Sequence, residues 1–221
     1  MFRNFTQVVD YARKLETKDL IVVFPHDRAN LIAINDAFLM GLIRPVLVGD
    51  KKKILDLLME LGISKKGYEI YNALDKRDAA HASVKLVSKQ KTAILMKGKI
   101  GSRILIEEIL NEEHVLTTDS LLSHIGVLDI PNYHKLLFIT DAVMNILPTE
   151  DEKIKMIENT FKFTESLGIT KPKIALISAL ETVYKDMPST VEAESIVKKL
   201  RDRDDFYIGG PFAIDIAVSH E

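Results

Sequence analysis

An α/β fold built around a mainly parallel sheet is what this sequence predicts, on three observations. Short β-branched runs alternate with amphipathic stretches, Gly, Pro or Asp punctuate the joins, and 47% of the 221 residues are hydrophobic, enough for a sizeable core. Leu20-Ile21-Val22-Val23-Phe24, bounded by Asp19 and Pro25, reads as a strand buried on both faces. Residues 28–40 follow with helical spacing and Gly41 as the stop. Pro45-Val46-Leu47-Val48 is the next strand. Asp50 can cap a helix whose Ile54, Leu55, Leu58 and Leu61 share a face, with Gly62 as its end. A third strand at 68–71, a helix at 76–89, a fourth strand at 92–96 and a helix at 102–110 complete the rhythm, which places helices on both faces of the sheet.

The pattern changes after about residue 116. Residues 125–130 and 136–140 read as strands joined by Pro131-Asn132-Tyr133-His134, a hairpin-length turn, so this pair is expected antiparallel. Thr149-Glu150-Asp151-Glu152 is a capping box opening a helix to about Leu167, closed by Gly168. A strand at 174–177 follows. Ser189-Thr190-Val191-Glu192 has the form of a second capping box and opens a helix to about Leu200. Tyr207-Ile208 is a short strand, and 212–218 reads as helix. The change of pattern predicts two domains, 1–116 and 117–221.

Net charge is −2, so the chain has no electrostatic footprint for nucleic acid. It has no cysteine, which excludes a disulfide framework, a Cys-based metal site and an acyl-Cys intermediate. The six histidines show no metal-ligand spacing, and no metal site is expected. The first residues lack the apolar stretch of a signal peptide, and no apolar run approaches the ~20 residues that span a bilayer. A cytoplasmic protein with no membrane contact is the expectation.

The turn Phe24-Pro25-His26-Asp27-Arg28 has no glycine, so the dinucleotide fingerprint is missing, as is a G-x-x-x-x-G-K-[ST] phosphate loop. Asp27 reads as a helix N-cap. Met96-Lys97-Gly98-Lys99-Ile100-Gly101-Ser102 lies between a strand and a helix. Its glycines allow close approach of a ligand, and Ser102, the free amides of the helix start and Lys97 or Lys99 can bind an anion. The plainer reading is an ordinary loop with Ser102 as cap. Ser123-His124 has the residue types of a nucleophile and its base, but strand neighbours point to opposite faces, so the two cannot act on one another. Asp141 and Asn145 follow a buried strand, where they either face a cleft or serve as turn and cap groups. Met187-Pro188-Ser189-Thr190 is a second helix start able to hold an anion or merely to cap.

These pieces occur together and in order. Met96-Lys97-Gly98, Leu122-Ser123-His124, Phe138-Ile139-Thr140-Asp141 with Asn145 and Pro148, Met187-Pro188-Ser189-Thr190, and Gly210-Pro211 with Asp215 resemble the phosphate acetyl/butyryltransferase family, in its phosphate butyryltransferase branch. Asp27 and Val48-Gly49-Asp50 extend the resemblance to the start of the chain. It implies two α/β/α domains with the active-site cleft between them, an architecture shared with isocitrate and isopropylmalate dehydrogenases. It implies a homodimer or larger assembly and the reaction acyl-CoA + phosphate ⇌ acyl phosphate + CoA, with coenzyme A as substrate and no bound cofactor. Substrate contacts are implied for Lys97, Gly98, Ser102, Arg103, Ser123, His124, Asp141, Asn145, Ser189 and Thr190. A Ser-Arg pair and an Asp expected to act in catalysis lie beyond residue 221 in the family, so the second domain is expected to be incomplete and to expose apolar surface.

Two further departures concern charge. Glu107 stands where the family commonly has a basic residue, with Arg103 one turn earlier as a substitute. A Leu-Arg-Thr-Gly segment of the family reads Leu116-Thr117-Thr118-Asp119. Each lost charge-assisted contact weakens phosphate binding by roughly 1.5–3 kcal/mol. The alternative to a catalyst is therefore a non-catalytic homologue that binds CoA or acyl phosphate.

Overall fold

The computed structural model describes residues 2–90, 92–116, 118 and 120–219. Thr117 and Asp119, singled out above, lie outside the described residues, as do His220 and Glu221 at the end of the chain. Two compact units are present, one of Thr6–Thr118 and one of Met1–Phe5 together with Asp119–Glu221. Helix α1 (Phe5–Ala12), which the sequence reading passed over, carries Phe5, Val8, Val9 and Ala12 at helical spacing on one face.

In Thr6–Thr118, the strands β1 (Lys18–Val23), β2 (Ile43–Gly49), β3 (Glu69–Asn72) and β4 (Ile94–Lys97) form one parallel sheet in the order β3-β2-β1-β4. The helices are α2 (Arg28–Leu39), α3 (Lys51–Glu60), α4 (Lys76–Ser88) and α5 (Ser102–Ile109), followed by a 3₁₀ turn at Glu112–His114. Strand alternation sorts the core into two layers. Ile21, Val23, Val46 and Val48 pack with Ala79, Ala80 and Val84 of α4 and Leu105 of α5. On the other face, Val22 and Leu47 pack with Leu31 and Ile34 of α2 and Ile54 and Leu58 of α3. Right-handed crossovers explain the order: α2 and α3 carry the chain outward on one face, and α4 returns it on the other to place β4 beside β1. Ile21, Val22 and Val23 are each fully buried, worth about 1.5–3 kcal/mol apiece. The predicted stops Gly41 and Gly62 take φ of 74° and 67°, the left-handed conformation that ends a helix cheaply only for glycine.

The second unit holds β5 (Gly126–Leu128) and β6 (Leu137–Ile139), antiparallel as expected, and β7 (Lys173–Ile177) paired parallel with β8 (Tyr207–Phe212). Helices α6 (Glu150–Ser166), α7 (Pro188–Leu200) and the short α8 (Ile214–Val218) complete it. Among the described residues these strands form two separate two-stranded ladders. Its core joins Ile157 of α6, Ile196 and Leu200 of α7 and Phe206, whose ring lies 5.8 Å from that of Phe161. The Thr149–Glu152 capping box forms as predicted, with the Thr149 amide donating to Glu152 Oε2 at 2.8 Å. A hollow of about 840 Å³ is lined by Leu137, Ile139, Phe161, Ile174, Phe212 and Ile216, among others.

Two expected caps differ. Ser189 does not cap α7. The helix begins at Pro188, whose fixed φ and missing N–H suit the first helical position, so Met187 becomes the cap residue. Ser102 likewise is the first residue of α5 rather than its cap, because the Gly101 carbonyl accepts from the Ile104 and Leu105 amides at 3.1 and 3.4 Å. No helix among the described residues is long and apolar enough to cross a membrane.

Candidate functional site

The sheet order reverses at β1, so the segments leaving β1 and β4 flank the switch point, where parallel α/β sheets hold ligands outside the strand carboxyl ends. The two segments are laced together. The Gly98 amide donates to the Val23 carbonyl at 2.9 Å and the Lys99 amide to the Phe24 carbonyl at 2.8 Å. A Cβ on Gly98 would stand 2.5 Å from the Val23 oxygen and 2.6 Å from that of Phe24. Gly98 thus serves the approach of two protein loops, a use the sequence reading had assigned to a ligand. Gly101 has no described atom within 4 Å of where its Cβ would lie. Lys97 Nζ bends back to donate to the Ile100 carbonyl at 3.2 Å. Arg103 Nε donates to Glu107 Oε1 at 2.7 Å, so the charge expected to replace a missing cation is shared with the acid that replaced it.

The sequence reading missed a second feature of this end of the sheet. His26, in the turn after β1, stacks on Phe24 with ring centroids 3.7 Å apart, and its Nε2 accepts from the Asp50 amide at 3.0 Å. Gly49 leaves room for it, since a Cβ there would lie 2.7 Å from that nitrogen. Burial lowers the His26 pKa below its usual value. Asp50 opposes the shift, and Lys53, Lys76 and Lys99 add to it. Three ammonium groups therefore act on His26 at this end of the sheet, with the Asp50 carboxylate beside them and Lys53 paired to it at 3.7 Å. Asp27 is the N-cap of α2, its carboxylate accepting from the Asn30 amide at 2.9 Å.

In the second unit the structure brings Ser123, His124, Asp141 and Asn145 together. Asp141 follows β6 across a cis peptide from Thr140. Its Oδ1 accepts from the Val143 and Met144 amides, both at 2.8 Å. Its Oδ2 accepts from the His124 amide at 2.9 Å and Asn145 Nδ2 at 2.8 Å. Asn145 also donates to the Leu122 carbonyl at 3.1 Å. Desolvation raises the Asp141 pKa, but these four hydrogen bonds outweigh it and hold the carboxyl down at about 2. Such a carboxylate is an anchor between the segment entering β5 and the one leaving β6; it is too acidic for a general base at neutral pH. Ser123 and His124 lie in irregular chain ahead of β5, so strand alternation does not govern them. Ser123 Oγ accepts from Asn159 Nδ2 at 2.9 Å. His124 Nδ1 and Thr140 Oγ1 are enclosed and have no hydrogen-bond partner among the described residues.

At the start of α7, Thr190 is fully buried and latches the preceding loop. Its hydroxyl accepts from the Tyr184 amide at 2.9 Å and lies 2.8 Å from the Met187 carbonyl. Ser189 is exposed and shares a hydrogen bond of 2.8 Å with Ser178, a residue at the carboxyl end of β7. The strand-end rule that drew attention to Asp141 could have found Ser178. Nothing in residue spacing could have found Asn159, 36 positions from the serine it holds. Lys97, Gly98, Ser102 and Arg103 belong to Thr6–Thr118, and the other candidate residues to the second unit.

Comparison with known proteins bears on what these loops serve. A family model described as Phosphate acetyl/butaryl transferase matches residues 75–221. The phosphate butyryltransferase of Clostridium acetobutylicum is 33% identical across the whole of this chain and 74% of its own length. The phosphate acetyltransferase of Rhizobium meliloti is 32% identical over 99% of this chain and 70% of its own. The crystal structure of a branched-chain phosphotransacylase from Enterococcus faecalis superposes with a TM-score of 0.81 at 26% identity, covering 91% of this chain and 71% of that one. With a family model spanning most of its length and full-length similarity to curated members, this chain belongs to the phosphate acetyl/butyryltransferase family.

Proposed function

We propose that the protein transfers a short or branched acyl group between coenzyme A and phosphate. A phosphate oxygen attacks the thioester carbonyl, the carbonyl oxygen carries the negative charge of the tetrahedral intermediate, and the C–S bond breaks to release the CoA thiolate with the acyl phosphate. Attack is direct, so no acyl-protein intermediate is needed, which agrees with a chain that has no cysteine. Catalysis then rests on bringing two anions together and on donors aimed at the developing oxyanion.

The observation that carries the reading, beside family membership, is the switch-point loop at the end of β4. Lys99 and the start of α5 follow β4 there, beside the turn that carries His26, on which Lys53, Lys76 and Lys99 act, at the place in the fold where an anionic substrate is expected. Among the candidate residues, the exposed Lys97, Ser102, Arg103 and Ser189 are suited to touch substrate. Gly98, Asp141, Asn145 and Thr190 act by holding loops in place. Ser123 and His124 border the Asp141 anchor. Family architecture further supports an active-site cleft between two α/β/α domains, divided near residue 116 and with the first five residues joined to the second, in a cytoplasmic homo-oligomer.

The test is release of free thiol from acyl-CoA in the presence of phosphate. Butyryl-CoA or a branched analogue is expected to react, and Lys99→Ala to raise the KM for phosphate or CoA with the fold intact. No release from acetyl-, propionyl-, butyryl-, isobutyryl- or isovaleryl-CoA would refute the proposal. Calorimetric binding without turnover would indicate the non-catalytic homologue.

A further inference from the structure

We infer that His81, Glu108 and His114 form a binding site for a divalent transition-metal ion of the zinc class, one that clips the end of the Thr6–Thr118 unit together. The three come from α4, α5 and the 3₁₀ turn at Glu112–His114, and their ligating atoms all lie within 4.8 Å of one another. His81 Nδ1 is 2.9 Å and His114 Nε2 2.5 Å from the same oxygen, Glu108 Oε1, and the two rings are 5.1 Å apart. Two imidazole nitrogens and a carboxylate are a common three-ligand set for zinc, with water in the fourth place. Zinc holds such ligands at about 2.0–2.2 Å, which separates neighbouring donor atoms in a tetrahedron by about 3.3 Å. The two N–O contacts need sub-ångström widening, and the two ring nitrogens, which lie within 4.8 Å of one another, need to close toward that spacing as the ion draws them in.

Burial favours a built site over a chance surface cluster. The side chains of His114 and Glu108 are 5% and 21% exposed, and His81, at 49%, leaves a path for entry. The histidines are 33 positions apart, and neither lies at ligand spacing from Glu108 along one helix, which is why the sequence shows no metal motif. The site stands two turns along α5 from Ser102. A metal there would be structural, and the acyl transfer would need none.

The experiment uses tag-free protein stripped with a chelator and then exposed to Zn²⁺ or Co²⁺ and desalted. The expected result is about one ion per chain, visible Co²⁺ absorption of a tetrahedral site, and a rise in Tm of about 5–10 °C at a hundredfold excess over Kd. His81→Ala, at a half-exposed position, should fold and lose all three effects. His81→Cys should restore binding and add a thiolate-to-cobalt charge-transfer band, uncontaminated because the chain has no other cysteine. Failure of the wild-type protein to retain either ion at micromolar concentrations would overturn the inference, as would unchanged stoichiometry in His81→Ala.

Discussion

Asp141→Asn tests how the second unit holds its loops. The substitution removes a charge and turns one acceptor oxygen into a donor group. Because Oδ1 and Oδ2 each take two N–H groups, either orientation leaves two donors facing a third. The electrostatic part can be worked from the carboxyl itself. A fall from 3.8 to about 2 is worth about 2.4 kcal/mol, reduced to about 1–1.5 because Asp141 is only partly buried and solvent screens it. Adding the misplaced donors, Asp141→Asn should cost about 2–4 kcal/mol at neutral pH. The folded carboxyl binds its proton more weakly than the unfolded one. Its contribution is therefore complete above pH 3.8, declines as the pH falls toward about 2, and is gone below. Urea unfolding of wild type and variant, followed at signals of the second unit, should show a stability gap that narrows across this window. The amide protons of His124, Val143 and Met144 should titrate together in NMR spectra with an inflection near pH 2. Inflections near 3.8, or a gap independent of pH, would refute the assignment of this carboxylate as an anchor.

Three further outcomes are expected. Gly98→Ala should destabilise the first unit by about 1–3 kcal/mol in urea unfolding, since its Cβ meets two fixed carbonyl oxygens, whereas Gly101→Ala should be nearly neutral. Thr190→Val should cost about 1–3 kcal/mol in the same assay, because it strands the Tyr184 amide beside a buried apolar group. His26, whose folded pKa is depressed, should lend stability that is complete above its unfolded pKa near 6.5 and declines as pH falls below it. An NMR titration should show its imidazole changing charge at a lower pH than in the unfolded chain, with Nε2 as acceptor in the neutral form.

The first unit was legible because its signals are local. The run from Leu20 to Val23 is apolar at every position, as a central strand must be, and Asp27 and Asp50 cap the helices that follow. The second unit was less so. Its strands are three to six residues long, and the run Phe138-Ile139-Thr140 gives no hint that it ends in a carboxylate fastened to chain 17 residues earlier. The capping-box pattern at Ser189 misled because Pro188, one residue before, is a stronger start signal than a hydroxyl three residues ahead of Glu192. At the candidate site, motif order singled out loops but could not tell exposed side chains, such as Lys99, from those already engaged, such as Thr190. That distinction depends on partners such as Asn159 and Tyr184, which only folding supplies.

The association of Met1–Phe5 with Asp119–Glu221 has a practical consequence for anyone dissecting the protein. The Phe2 carbonyl accepts from the Leu136 amide at 3.0 Å, and the Phe5 amide donates to Asp129 at 3.1 Å. A contiguous fragment starting at residue 119 would lack these stitches, and a bulky fusion placed ahead of Phe2 would disturb the second unit. To express that half by itself, the opening residues should be grafted onto it through a linker, in permuted order, rather than left behind with the parallel sheet.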